Sequence, residues 1–246
     1  MTAPAEIVYG RQPVRALLQA GRRTMRELLA TERALAAEAW LREAPGLRLQ
    51  IARERHLTEA CGSRDHQGVV ARCDPYVYAD AWELAGQASP LLVCLDGITD
   101  PQNFGAVCRS AEAAGASGIV IPERAAARVT SAVCKASAGA VEYLDVAVVV
   151  NLVRYLAEIK SSDLWIWAAA EDAETPYWSA DLEGGVALVL GAEGRGLRPS
   201  ARRVCDGAIA VPLAGCVESL NVSVAAGVIL FEAARQRRHI SAGEQR

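Results

Sequence analysis

Lysine is almost absent from this chain: Lys135 and Lys160 are the only two, so arginine carries nearly all the positive charge. Histidine is as scarce, with His56, His66 and His239. No H-E-x-x-H pattern and no Cys/His ligand spacing accompanies them, so no metal is expected. Cys61, Cys73, Cys94, Cys108, Cys134, Cys205 and Cys216 are odd in number, form no C-x-x-C pair and sit mostly among apolar neighbours. That pattern excludes a disulfide framework and reads as reduced thiols. No apolar run reaches the length of a membrane span, and the opening MTAPAEIVYGRQ lacks the apolar core of a secretory signal. A cytoplasmic location is the expectation.

What is present is a composition of 52% hydrophobic and 22% charged residues over 246 positions, which fits a globular protein of one large or two small domains. The charge is unevenly divided. Residues 1–74 hold 12 Arg against 9 Asp and Glu, net +3, and the remainder holds 14 Lys and Arg against 20 Asp and Glu, net −6. Arginine forks suit phosphate and base contacts, and a solvated helix face accounts for the same small surplus.

Residues 1–74 alternate between strand and helix signals: EIVYG as strand, QPVRALLQAG as helix, MRELLA ambiguous, ERALAAEAWLREA as helical, LRLQIAR as strand, LTEACG as helix, then HQGVVARC. The stretch 75–89, PYVYADAWELAGQAS, changes character and reads as a linker. From 90 to 246 short apolar runs (LLVCLDGI, GIVIP, VAVVV, LWIWAAA, VALVLG, AIAVPLAG) alternate with helical segments, among them NFGAVCRSAEAAG, VTSAVCKASAG and LVRYLAEIK. Continuous apolar strands between helices predict an α/β domain whose parallel sheet is covered on both faces. A long closing helix carries Val222, Ala225, Ala226, Ile229 and Leu230 at helical spacing.

Polar islands sit where apolar elements end. In ALVLGAEGRGLRPS, residues 187–200, a buried strand opens into a glycine loop holding Glu193 and Arg195. A P-loop needs a lysine that is missing, and the dinucleotide template G-x-G-x-x-G fails because Pro199 stands at its third glycine. In DGITDPQNFGAVCRS, Asp100-Pro101 starts a helix with Asn103 in its first turn and Arg109 six residues later. In VPLAGCVESLNVS, Ser219 and Asn221 begin the closing helix. Capping explains Asp100, Asn103 and Ser219 as readily as chemistry does. Arg109 lies among Phe104, Ala106, Val107, Ala111, Ala113 and Ala114, where a buried cation needs a partner; Glu193 is the candidate.

Together, LDGITDPQNFGAVCRSAEAAGASGIVIP, LVLGAEGRGLRP and IAVPLAGCVESLNVSVAAGVILFE resemble the three motifs of the SpoU (TrmH) family of RNA ribose 2'-O-methyltransferases in the SPOUT superfamily. IVYGRQPVRALL and HQGVVARC resemble the substrate-binding domain of its RlmB-type members, which act on a guanosine of 23S ribosomal RNA. Arg195 stands where lysine is frequent in the second motif. The resemblance implies a small αβ substrate-binding domain over 1–74 and a SPOUT α/β domain with a trefoil knot over 90–246. It further implies a homodimer with the active site at the subunit interface, RNA as substrate, and S-adenosyl-L-methionine as cofactor. Gly191, Ala192, Glu193, Gly194, Gly196, Ile209, Val211, Pro212, Leu213, Gly215, Ser219, Leu220 and Asn221 would surround that cofactor. By motif position Arg109 activates the ribose hydroxyl, with Asn103, Glu193, Ser219 and Asn221 shaping the site. A guanidinium gives up its proton with difficulty, so two roles stay open for Arg109: base, or holder of phosphate and oxyanion charge. Transfer RNA, an rRNA site whose methylation gives antibiotic resistance, and a non-catalytic RNA-binding role are the competing readings.

Overall fold

A computed structural model describes residues 4–43, 48–161, 163–192 and 194–243. In chain order come β1 (Glu6–Tyr9), α1 (Arg11–Ala20), β2 (Met25–Ala30), α2 (Glu32–Ala37), α3 (Trp40–Glu43), β3 (Leu49–Ile51), α4 (Glu54–Cys61) and β4 (Val69–Cys73). They are followed by α5 (Ala81–Ala85), β5 (Leu91–Asp96), α6 (Pro101–Ala114), β6 (Gly118–Pro122), α7 (Ser131–Ala136), β7 (Val146–Val149) and α8 (Leu152–Ile159). The chain ends with β8 (Leu164–Ala169), β9 (Thr175–Pro176), β10 (Gly185–Gly191), α9 (Pro199–Val204), β11 (Gly207–Ala210) and α10 (Val222–Gly243). Two compact units result: Met1–Val77 with Arg128–Tyr143, and Tyr78–Ala127 with Leu144–Arg246. The VTSAVCKASAG helix thus groups with the amino-terminal unit, although in sequence it lies inside the run of alternating strands and helices.

The first unit holds a four-stranded sheet in the order β1-β4-β2-β3, with β4 antiparallel to both neighbours and β3 parallel to β2. MRELLA becomes β2 because it is paired on both sides and buries Leu28, Leu29 and Ala30, a run whose periodicity alone fits strand or helix. ERALAAEAWLREA is helical, in two pieces, α2 and α3. Thr31 caps α2, accepting from the Ala34 amide at 3.1 Å, and the helix stops at Glu38, whose backbone is extended. The Glu38 carboxylate accepts from Arg11 Nη1 (3.1 Å) and Trp40 Nε1 (2.9 Å), contacts that hold the break.

Residues 128–143 complete this unit through a buried charge cluster. Arg23 Nε donates to Glu142 Oε2 at 3.0 Å, its Nη2 meets Glu142 Oε1, and its Nη1 donates to Glu6 Oε2 at 2.8 Å. Burial alone would lower the Arg23 guanidinium, but the hydrogen bonds and charge of Glu142 outweigh it and hold it above its ordinary range. Removing one partner of such a pair leaves the other charged and dry. Arg23→Ala is therefore expected to cost about 3–5 kcal/mol, read as a lower urea midpoint.

The second unit is built on a seven-stranded sheet in the order β7-β6-β5-β10-β8-β11-β9, every pair of which is parallel. Alternate residues separate its faces. Leu92, Cys94, Val120, Ala187 and Val189 pack with Leu84 of α5 and Tyr155 and Leu156 of α8. The other face is covered by α6 and α10, which pack on each other where Gly227 stands against Ser110. Val222, Ala226, Ile229 and Leu230 of α10 are buried and Ala225 is half-buried, as their spacing predicts. The stretch 75–89 is ordered in part: Asp80 caps α5 through the amides of Trp82 and Glu83, and Tyr155 donates its hydroxyl to the Ala81 carbonyl at 2.8 Å. From β5 the chain moves outward to β6 and β7, then crosses to the other side of β5, where β10 lies between β5 and β8. Parallel sheets open their ligand crevice at the carboxyl ends of strands beside such a reversal.

Candidate active site

The carboxyl ends of β8, β10 and β11 surround a cavity of about 700 Å³, closed on one side by the start of α10. Of the residues expected around a cofactor, Gly191, Ala192, Gly194, Gly196, Ile209, Val211, Leu213, Ser219, Leu220 and Asn221 line it. Pro212 does not, although Val211 and Leu213 on either side of it do. Gly215 is exposed, with open space where a Cβ would stand, and is not on the wall. Glu193 lies outside the described residues. The wall also contains Glu171, Asp172 and Arg202, which the motifs did not suggest. Arg202 Nη1 donates to both Asp172 oxygens at 2.7 Å. An acidic dipeptide directly after the apolar run of β8 was the available signal.

The glycine loop closes tightly on itself. The Gly196 amide donates to the Ala192 carbonyl at 2.9 Å, and Gly194 and Gly196 have φ of 71° and 60°, conformations that favour glycine. Gly191 is needed for a different reason: a Cβ there would collide with the backbone of Gly196 and Leu197. The loop ends at Arg198, whose amide donates to Asp96 Oδ2 at 3.1 Å and whose Nε donates to Asp96 Oδ1 at 2.7 Å. The Asp96 hydrogen bond and charge raise the Arg198 guanidinium above its ordinary range despite some burial.

Two motifs meet at the cavity mouth. Asp100 caps α6, its carboxylate accepting from the amides of Gln102 and Asn103 at 3.2 Å each. Asn221 caps α10, its Oδ1 accepting from the Ser223 amide at 2.9 Å, and its Nδ2 donates to Asn103 Oδ1 at 2.9 Å. One side chain therefore starts one helix and joins it to the first turn of another. Asn221→Ala should cost about 1–2 kcal/mol from the lost cap and bond together. A double-mutant cycle with Asn103→Ala should return a coupling of about 0.5–1.5 kcal/mol in urea unfolding. Ser219 is exposed on the wall.

Arg109 departs from expectation. Phe104, Val107, Cys108 and Ala111 define the buried face of α6, and Arg109 lies off that face, exposed. It makes no hydrogen bond or ion pair with the described residues and is not on the wall of the cavity. The argument that it needs a partner rested on burial, and the burial is absent.

The family model described as the SpoU rRNA Methylase family matches residues 90–231, more than half of the chain. The chain belongs to the SpoU rRNA methylase family. A second model, for RNA 2'-O ribose methyltransferase substrate binding, matches residues 7–79. Among SpoU relatives, the chain is 43% identical over 203 residues to the 23S rRNA (guanosine-2'-O-)-methyltransferase RlmB of Ralstonia nicotianae, covering 81% of this chain and 82% of that one. It is 37% identical over 241 residues to RlmB of Escherichia coli, covering 95% and 99%. A similar solved structure is the AdoMet-bound rRNA methyltransferase of Sinorhizobium meliloti, with a TM-score of 0.76 and 26% identity over 96% of this chain and 88% of that one.

Proposed function

We propose that the protein transfers a methyl group from S-adenosyl-L-methionine to the 2'-hydroxyl of a guanosine in 23S ribosomal RNA. The observation that carries this reading is the end-to-end match to the Escherichia coli RlmB enzyme, which includes the substrate-binding segment as well as the motif-bearing half. The cavity fits the cofactor in kind. Its volume is within the range of small-molecule sites, and its loop is glycine, so main-chain groups reach the interior where side chains would block them. The Gly191 to Gly196 turn and Ile209, Val211, Leu213 and Leu220 would hold the cofactor, which supplies an electrophilic sulfonium methyl.

The remaining work falls to the chain. Asn221 and Asn103 fix the mouth of the cavity where a ribose must approach. A guanidinium gives up its proton with difficulty, so the part assigned to Arg109 is to hold a neighbouring phosphate and stabilise negative charge on the 2'-oxygen as its proton leaves to another group. We place this Arg109 in the cavity of a second copy, in a homodimer whose motif-bearing half is knotted. Its position outside its own cavity wall favours that reading, as do the exposed Val224 and Phe231, two turns apart on α10. Such an enzyme works in the cytoplasm, where ribosomal RNA is assembled; no helix among the described residues is long and apolar enough to cross a membrane.

The test is transfer of labelled methyl to unmodified 23S rRNA, 16S rRNA and bulk transfer RNA, with mapping of the modified ribose. Label on one 23S guanosine is expected. Label on transfer RNA alone would retain the chemistry and overturn the substrate.

A further inference from the structure

Asp96 is the last residue of β5, and its side chain is wholly buried. Burying a carboxylate is costly unless it is paired and fully hydrogen-bonded, so its partners at this position carry information. Among the described residues, its carboxylate is held from the far end of the glycine loop, by the Arg198 amide and the Arg198 guanidinium. The near end of the same loop is also fixed on Asp96, because Gly191 is its register partner in the β5–β10 ladder. A single residue thus fastens both ends of a turn whose middle is cavity wall. Neither Asp96 nor Arg198 is on that wall.

We propose that Asp96, acting through Arg198, is a positioning residue that sets the shape of the Gly191–Leu197 turn and thereby the affinity for the cofactor. The turn is rich in glycine and has many conformations available when unfastened. A ligand that binds only one of them has its apparent affinity reduced by the fraction of time that shape is populated. The clasp raises this fraction without touching the ligand. Asp96 also leads through Gly97, at φ 85°, towards Asp100 and the Asn103 turn of α6, so the same residue stands at the root of the motif that faces the ribose.

The inference rests on the cofactor reading above, and the experiment separates the two. Full-length wild type, Arg198→Ala and Arg198→Lys are compared by calorimetric titration with S-adenosyl-L-methionine and by limited trypsin digestion. Trypsin reads the turn directly, since Arg195 is exposed within it, whereas Arg198 precedes Pro199 and is not a cleavage site. For Arg198→Ala we expect cleavage after Arg195 to quicken several-fold and the Kd to rise about ten-fold, as for a turn competent about a tenth of the time, with kcat at saturating cofactor nearly unchanged. Arg198→Lys, which keeps the charge and the amide, should fall between. Arg23→Ala, which breaks a buried pair in the other unit, should lower stability and leave both readouts alone. An unchanged Kd in Arg198→Ala overturns the proposal, whether or not cleavage quickens. A fall in kcat at constant Kd overturns it too, by placing Arg198 in the chemistry. If wild type binds no S-adenosyl-L-methionine, the cofactor reading falls and takes the affinity claim with it, while the digestion still reports whether the clasp holds the turn.

Discussion

Replacing Arg109 with alanine is expected to lower methyl transfer by about 10²–10³-fold while cofactor affinity stays at the wild-type value. The two halves of that result have separate structural causes. Arg109 is exposed on α6 and has no partner among the described residues, and in the proposed mechanism it meets phosphate and the 2'-oxygen rather than the cofactor, so its loss should leave cofactor binding alone. Its loss also disturbs no core, since the buried face of α6 is carried by Phe104, Val107, Cys108 and Ala111. On the proposed mechanism, what disappears is the guanidinium that holds RNA phosphate and the charge on the 2'-oxygen. Arg109→Lys distinguishes the roles left open by the sequence. A point charge without the planar fork should recover part of the rate if charge stabilisation is the main effect, whereas near-normal turnover would count against any role specific to the guanidinium. Stopped-turnover assays at saturating cofactor, beside calorimetry, give both numbers.

Gly191→Ala is expected to weaken cofactor binding by ten-fold or more, although it adds a single methyl group. The added carbon would meet backbone atoms of Gly196 and Leu197, which cannot swing aside as a side chain does. Relief requires the whole turn to open, at a cost of about 1–3 kcal/mol. Gly215→Ala is the matched comparison: open space surrounds its Cβ position, it lies off the wall, and binding should be unaffected. Equal losses in the two variants would show that the stacking of the turn on Gly191 does not govern the cavity.

The sheet was readable because its strands are apolar throughout and bounded by turn residues, as in LLVCLDGI and VALVLG, where burial on both faces leaves a plain signature. The cap at Asp100 was readable for a local reason, a short polar side chain directly before its helix, whereas α10 is capped by Asn221 and not by Ser219, the candidate the sequence offered two residues earlier. The Asp96–Arg198 clasp was not, because its partners are 102 residues apart and each alone looks like an ordinary end-of-element polar residue. MRELLA was undecidable locally and was settled by pairing on both sides. The break at Glu38 depended on Arg11, 27 residues away. Arg109 misled for a geometric reason: a helix of small residues looks buried all round until one face is left open.

The excursion of residues 128–143 has a practical meaning for anyone cutting this chain. A fragment ending near residue 79 would correspond to the matched substrate-binding segment, yet it would contain Arg23 without Glu142. That guanidinium would keep Glu6 but lose both bonds to its buried carboxylate partner, and the site would have to admit water or rearrange. The complementary fragment, starting near residue 80, would carry Glu142 and Cys134 with nothing to enclose them. The substrate-binding segment is therefore complete only with residues 128–143, and grafting it onto another protein requires carrying that stretch along.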